Sequence, residues 1–208
     1  MSLRVVFVDW AKTLSTSLFW QHRPGCRLSA ANSAAVESYV FARAELVRHW
    51  MIGSVAAEDV CSLAAGSLQL SAADLVADLE YSCRGMEFDD PAALAGLRAL
   101  REQGIQVVLA TDNMDTFSRW TVPALHLDDL FDAILNSASL AALKGDVVAG
   151  QSRFFEPWLS EHGIAPSEAV LVDDSPTAAA AAIGLAARRV EHPGKLASIL
   201  AELATAGW

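Results

Sequence analysis

Val5-Val6-Phe7-Val8-Asp9-Trp10-Ala11-Lys12-Thr13-Leu14 decides how the rest of the chain is read. Three valines and a phenylalanine form an apolar run of strand length, the pattern of a strand buried on both faces. The run delivers a carboxylate, Asp9, at its end. Further polar positions recur outward from it: Thr111 after Val107-Val108-Leu109-Ala110, Lys144 after Leu143, and Asp173-Asp174 after Val170-Leu171-Val172. A polar residue after a buried strand often does no more than cap the next helix. That account is weak for Asp174, because Ser175 can cap the helix that follows. The carboxyl ends of parallel strands are also where α/β proteins hold ligands.

Strand-like runs fall at residues 4–8, 106–110, 133–137, 169–173 and 187–191, and helical patterns separate the later four. Such alternation predicts a parallel sheet covered on both faces. Asp90 can N-cap a helix that begins at Pro91, buries Leu94, Leu97 and Leu100, and stops before Gly104. Ser175-Pro176 opens another that Gly184 can close, and Phe154, Phe155, Trp158 and Leu159 mark a third that ends near Gly163. The interval between the first two strands is far too long for a simple crossover. Its pattern is helical: Val36, Tyr39, Val40, Val47, Trp50 and Met51 keep a 3.6-residue period, and Ser71-Ala72-Ala73-Asp74 has the form of a capping box. Residues 15–85 therefore read as a small helical insertion in a core formed by residues 1–14 and 86–208.

Composition bounds the function. The 208 residues are 53% hydrophobic, enough for a sizeable core, and the net charge is −10. That balance argues against nucleic-acid or anionic-membrane partners, which need a basic face. A small anionic substrate stays compatible, since one lysine and a bound cation reverse the local field. Cys26, Cys61 and Cys83 are odd in number and lack CxxC spacing, so reduced thiols in a cytoplasmic protein are expected. No signal peptide or membrane-spanning run is read from the sequence. Phosphate-loop, dinucleotide, zinc-protease and nucleophile-elbow signatures are all missing.

Acid, hydroxyl, lysine and acid pair, in this order, resemble the four-motif signature of the haloacid dehalogenase (HAD) superfamily. The resemblance implies a three-layer Rossmann-like α/β core with a parallel sheet, and it makes residues 15–85 an α-helical C1 cap that closes over the active site. It makes Asp9 the nucleophile, Thr111 a hydrogen-bond donor to the transferring group, and Lys144 the cation that stabilises Asp9 and the developing charge. Mg²⁺ is then held by Asp9, Asp174 and Asp173 together with the backbone carbonyl of Ala11. A response-regulator receiver combines the same residue types on a parallel sheet, but its acid pair comes early, whereas here it comes last.

Ala11 departs from the pattern. HAD phosphatases carry a second Asp at this position, which protonates the leaving group and later activates water. General acid–base help is worth about 10²–10⁴-fold, so a plain alkyl phosphate is expected to react poorly. Asp9-Trp10-Ala11 with Thr13 closely resembles phosphonoacetaldehyde hydrolase, but that enzyme uses a cap lysine, and this chain has none between Lys12 and Lys144. Dehalogenases of the superfamily have a bulky aromatic at the Ala11 position. Lys12 stands where glycine is usual, and its side chain is expected to face solvent or to serve as a second cation. Asp112 replaces a common asparagine, and it must either turn away from a phosphate or signal a different substrate. Asn113, Arg23 and His22 are further substrate-side candidates. His22 is also a candidate replacement acid.

Two readings stay open. One is a Mg²⁺-dependent HAD-like hydrolase acting through Asp9 on a small phosphorylated or phosphonate-like metabolite. The other is a catalytically weakened HAD-fold protein that binds a ligand or a protein partner. Oligomeric state is not legible.

Overall fold

The computed structural model describes residues 2–176 and 178–205. Strand β1 (Val5–Val8) is followed by four helices, α1 (Ala30–Phe41), α2 (Ala44–Met51), α3 (Ala57–Leu68) and α4 (Ala72–Arg84). Helix α5 (Pro91–Glu102) leads to β2 (Gln106–Thr111), a π-helical turn at Phe117–Thr121, and the short helices α6 (Val122–Leu125) and α7 (Leu127–Leu130). Then come β3 (Ala133–Asn136), α8 (Ser137–Leu140), the strand pair β4 (Val147–Val148) and β5 (Gln151–Ser152), and α9 (Glu156–Glu161). The chain closes with β6 (Ala169–Asp173), α10 (Ala178–Ala182), β7 (Ala186–Arg189) and α11 (Leu196–Thr205).

The main sheet has the order β3-β2-β1-β6-β7, and every pairing in it is parallel. All five expected strands are present, their limits shifted by no more than two residues. Alternation along β1 sorts its side chains between two cores. Val6 and Val8 join Leu97 and Leu100 of α5 and Leu200 and Leu203 of α11. Val5 and Phe7 face Phe154, Phe155, Trp158 and Leu159 instead, with Phe7 and Phe155 edge to face at 5.1 Å. The result is a three-layer α/β fold around a parallel sheet, as expected.

Helix α5 has the caps its sequence predicts. Asp90 caps it, accepting from the Ala92 N–H at 2.9 Å, and Gly104 beyond its end has φ +80°. Leu97 and Leu100 are buried, Leu94 only partly. Other expectations need adjustment. The period through Val36–Met51 spans two helices, broken at Ala42-Arg43. Ser71 caps α4 through the Asp74 N–H at 3.3 Å, but the Asp74 carboxylate pairs with Arg27 rather than closing a box. Phe154 and Phe155 precede α9 rather than lying in it. The helix expected from Ser175-Pro176 is described from Ala178, since Thr177 lies outside the described residues. The β4–β5 hairpin carries no strand-like pattern in the sequence. Its turn, Ala149-Gly150, has both φ values positive, and alanine gives no hint of that.

The segment between β1 and α5 departs and returns side by side: the Glu87 N–H donates to Ser17 Oγ at 3.1 Å, and the Asp89 N–H to Leu14 O at 3.0 Å. Its buried Trp20 and Trp50 share one continuous core with Val6, Val8, Trp10 and Phe117. Trp50 Nε1 donates to Asp115 Oδ1 at 2.7 Å, Arg119 pairs with Glu58 at 2.7 Å, and the Ser137 hydroxyl meets Met51 O at 2.6 Å. No helix among the described residues is long and apolar enough to cross a membrane.

Candidate active site

Register brings the polar residues together. Val8 pairs with Val172 on one side and Leu109 on the other. Asp9 and Asp173, the next residue of each segment, therefore emerge abreast, and the Asp9 N–H donates to Val172 O at 2.9 Å. Thr111 ends β2 at the same edge. In chain order the sheet grows from β1 through β2 to β3 on one side, then continues with β6 and β7 on the other. The β1–β6 boundary that carries Asp9 and Asp173 is thus the point where strand order reverses, the expected place for a ligand crevice.

Lys144 reaches this edge from the loop after α8. Its Nζ lies 2.8 Å from Asp9 Oδ1 and 2.6 Å from Asp173 Oδ2, and all three side chains are buried. The same loop is pinned from below: Asp112 Oδ1 accepts the Lys144 backbone N–H at 2.8 Å, and Asp146 Oδ2 accepts that of Leu143 at 2.9 Å. Thr111 Oγ1 is buried with no hydrogen-bond partner, as are Thr13 Oγ1 and Thr116 Oγ1. A buried hydroxyl without a partner costs about 1–3 kcal/mol unless something binds it.

Charge so deeply buried is strongly perturbed. Burial pushes the Asp9 carboxyl up to about 7; Lys144 opposes this and Asp173 adds to it. Burial works against the Lys144 ammonium, but the carboxylates of Asp9, Asp173 and Asp112 outweigh it and hold its pKa above the ordinary lysine value. Asp112 is likewise raised, chiefly by burial, with Lys144 acting in the opposite sense. Two carboxylates and one ammonium at such distances leave local negative charge for a cation to neutralise.

The donor set fits a hard divalent cation. One oxygen from each of Asp9, Asp173 and Asp174 lies within 4.8 Å of the other two, and all-oxygen ligation suits Mg²⁺. The two aspartates of the pair differ. Asp173 is fully engaged, Oδ2 with Lys144 and Oδ1 with the Ser175 N–H at 2.8 Å. Asp174 is half-buried, and Ser175 Oγ donates to its Oδ1 over a long 3.4 Å. Ala11 forms a bridge with Ser15, but its neighbours make the bonds: Lys12 N–H to Ser15 O at 2.7 Å and Ser15 N–H to Trp10 O at 3.0 Å. The Ala11 carbonyl takes part in neither.

Asp9, Ala11, Lys12, Asp112, Lys144, Asp174 and Ser175 line one cavity of about 230 Å³. Lys12 adopts φ +57°, the left-handed region that costs a side-chain-bearing residue about 1–2 kcal/mol. This is the physical reason glycine suits the position. Its side chain is exposed and borders the cavity. Asp112 does not turn away, for it lines the cavity too. The other substrate-side candidates are not brought to this cavity. His22 is exposed; Arg23 is bonded to Gly85 O and, at 3.0 Å, to Gln21 Oε1. Asn113 is buried, and its Oδ1 accepts the Met114 N–H at 2.9 Å. Ser137, which accepts the Asn113 N–H at 2.9 Å and also touches Met51 of the insertion, escaped the sequence reading because an isolated serine carries no pattern.

The sequence profile of haloacid dehalogenase-like hydrolases matches residues 3–185. Several solved structures share the fold at low identity. The HAD family enzyme bt-2542 of Bacteroides thetaiotaomicron, solved with magnesium and inorganic phosphate, is 16% identical with a TM-score of 0.62, over 90% of this chain and 94% of that one. A predicted HAD-like hydrolase of Porphyromonas gingivalis is 14% identical with a TM-score of 0.66, covering 98% of both chains. L-2-haloacid dehalogenase of Xanthobacter autotrophicus, with chloropropionic acid covalently bound, is 16% identical with a TM-score of 0.62, over 90% of this chain and 77% of that one. No curated protein matches the sequence.

Proposed function

Because the chain belongs to the haloacid dehalogenase-like hydrolase family, we propose that it is a Mg²⁺-dependent hydrolase of small phosphorylated or phosphonate-like metabolites, with Asp9 as nucleophile. The observation that carries this reading is the buried Lys144 ammonium set between Asp9 and Asp173. Three buried charged groups kept at such distances are costly for a protein that needs only to fold. They suit a site that must hold an anion in line with a carboxylate. The magnesium and phosphate bound by bt-2542 support the same reading.

In this mechanism an Asp9 oxygen attacks phosphorus, the bond from phosphorus to the leaving group breaks, and an aspartyl phosphate forms. Water then attacks that phosphorus, Asp9 is regenerated, and inorganic phosphate departs. Lys144 balances charge on Asp9 and on the transferring oxygens. The Thr111 hydroxyl, free of other partners, donates to one of those oxygens. Asp9, Asp174 and the Ala11 carbonyl would hold Mg²⁺, with Asp173 keeping Lys144 in position and adding a ligand if that contact loosens. The cation supplies charge neutralisation at the phosphoryl group. Helices α1–α4, with the connections spanning residues 15–85, act as a C1 cap over this edge.

Ala11 and Asp112 favour a second reading, a pocket that binds without turnover. Ala11 supplies no acid, and Asp112 adds negative charge to the cavity wall. A screen of acetyl phosphate, aryl and alkyl phosphates and phosphonates, with and without Mg²⁺, separates the two. Metal-dependent release of phosphate lost in Asp9→Asn supports the hydrolase; no turnover of any of them leaves the binding protein.

A further inference from the structure

A second cavity, of about 390 Å³, shares Ala11 and Lys12 with the reaction cavity. Beyond those two residues its walls change character. Leu18 and Phe19 come from the chain leaving β1, and Glu37 and Phe41 come from α1. Leu18 is 53% exposed and Phe41 39%, so two of the large exposed apolar side chains of the described residues face one hollow. Phe41 stacks on Phe19 at 5.7 Å, and Phe19 leans on the buried Trp50 at 5.9 Å. This wall is anchored in the core. Apolar lining of that extent, opening onto a charged site, is the build of a small-molecule pocket.

Position and chemistry converge. The cavity begins where Ala11 stands, the place from which the missing acid would have served the leaving group. Without that acid the group departs as an anion. A phenol ionises near pH 10, as tyrosine does, whereas an alkyl alcohol is close to water at about 15.7. An aromatic leaving group therefore needs the proton least, and its ring matches the walls beyond Ala11. Glu37 in the wall disfavours a ring that carries a further anionic substituent; burial raises its carboxyl above the ordinary value.

We propose that this cavity receives the uncharged aromatic ring of an aryl phosphate, with phosphate at Asp9 and the ring between Leu18, Phe19 and Phe41. The inference rests on the hydrolase reading for its chemistry, but the pocket can be tested without turnover. Asp9 attacks phosphorus, the bond from phosphorus to the aryl oxygen breaks with its electrons passing to oxygen, and the phenolate takes a proton from solvent as it is released.

Calorimetry on the full chain with Mg²⁺ compares methylphosphonate, phenylphosphonate and 4-carboxyphenylphosphonate, which carry no oxygen leaving group. Phenylphosphonate is expected to bind at least tenfold more tightly than methylphosphonate, and the carboxylated ring to lose that gain. Leu18→Asp and Phe41→Ser, both at exposed positions, should bring phenyl and methyl affinities together. Equal affinities in the unaltered protein, or a phenyl preference untouched by both substitutions, overturn the pocket. Hydrolysis of acetyl phosphate is measured in parallel. If it fails while the phenyl preference and its loss in the variants hold, the hydrolase reading falls and the aromatic subsite stands.

Discussion

The Asp112 carboxylate accepts the backbone N–H of Lys144 at 2.8 Å, so the residue after β2 fixes the loop that delivers the site's cation. Asp112 thus combines two effects, an acceptor the loop needs and a negative charge the cavity wall carries. Asn can keep the acceptor without the charge. Asp112→Asn should lower KM for phosphate substrates about threefold to tenfold, because a like charge leaves the wall. Asp112→Ala should instead destabilise the fold by about 1–3 kcal/mol, since the Lys144 amide loses its partner. Steady-state kinetics and urea unfolding of the two variants distinguish these effects, and a rise in KM for Asp112→Asn would refute the repulsion.

Metal binding should depend on pH through Asp9. Its carboxyl, raised to about 7 by burial in the metal-free protein, stays protonated below that pH and must lose the proton to become a ligand. Apparent Mg²⁺ affinity should fall about tenfold per unit as pH drops below 7, with proton release on binding. The stability sign follows from the same shift. A folded pKa above the unfolded value near 3.8 means the metal-free fold binds the extra proton between the two values. The Asp9 contribution therefore weakens stability as pH rises toward 7, and Mg²⁺ should offset it. Calorimetry and melting curves at pH 5.5 to 8 test both, and an affinity independent of pH would contradict the shift.

Asp174→Asn should weaken Mg²⁺ binding strongly, because Asp174 is the carboxylate of the pair not held by Lys144. Unchanged affinity would move the metal away from this edge.

Asp9→Asn should abolish turnover while the fold persists, since the amide fills nearly the same space but is no nucleophile. Circular dichroism and activity on acetyl phosphate check the two halves separately. Activity near that of the unaltered protein would place the chemistry elsewhere.

Ala11→Asp should raise alkyl-phosphate turnover by up to about 10²–10⁴-fold and activated substrates much less. Rapid alkyl turnover without the substitution would mean another group supplies the proton, and Asp112, which already lines the cavity, would be the first to test.

The strands, their parallel arrangement and the order acid, hydroxyl, lysine, acid pair are legible in the order of residues alone. Each rests on local chemistry: buried parallel strands must be apolar throughout, and polar residues can stand only where such strands end. Tertiary structure decided what no local pattern encodes. Lys144 lies far along the chain from both Asp9 and Asp112, and only the sheet register and the loop after α8 bring them within bonding distance. The same packing kept His22 and Arg23 away from the cavity, although they follow Asp9 closely in sequence. It set Lys12 in a left-handed conformation that its side chain does not announce. It also joined Leu18 and Phe19 to Phe41, residues that bear no motif and become a wall only because the chain after β1 folds against α1. Side-chain type records the environment each residue needs; the three-dimensional path of the chain chooses which residues share it.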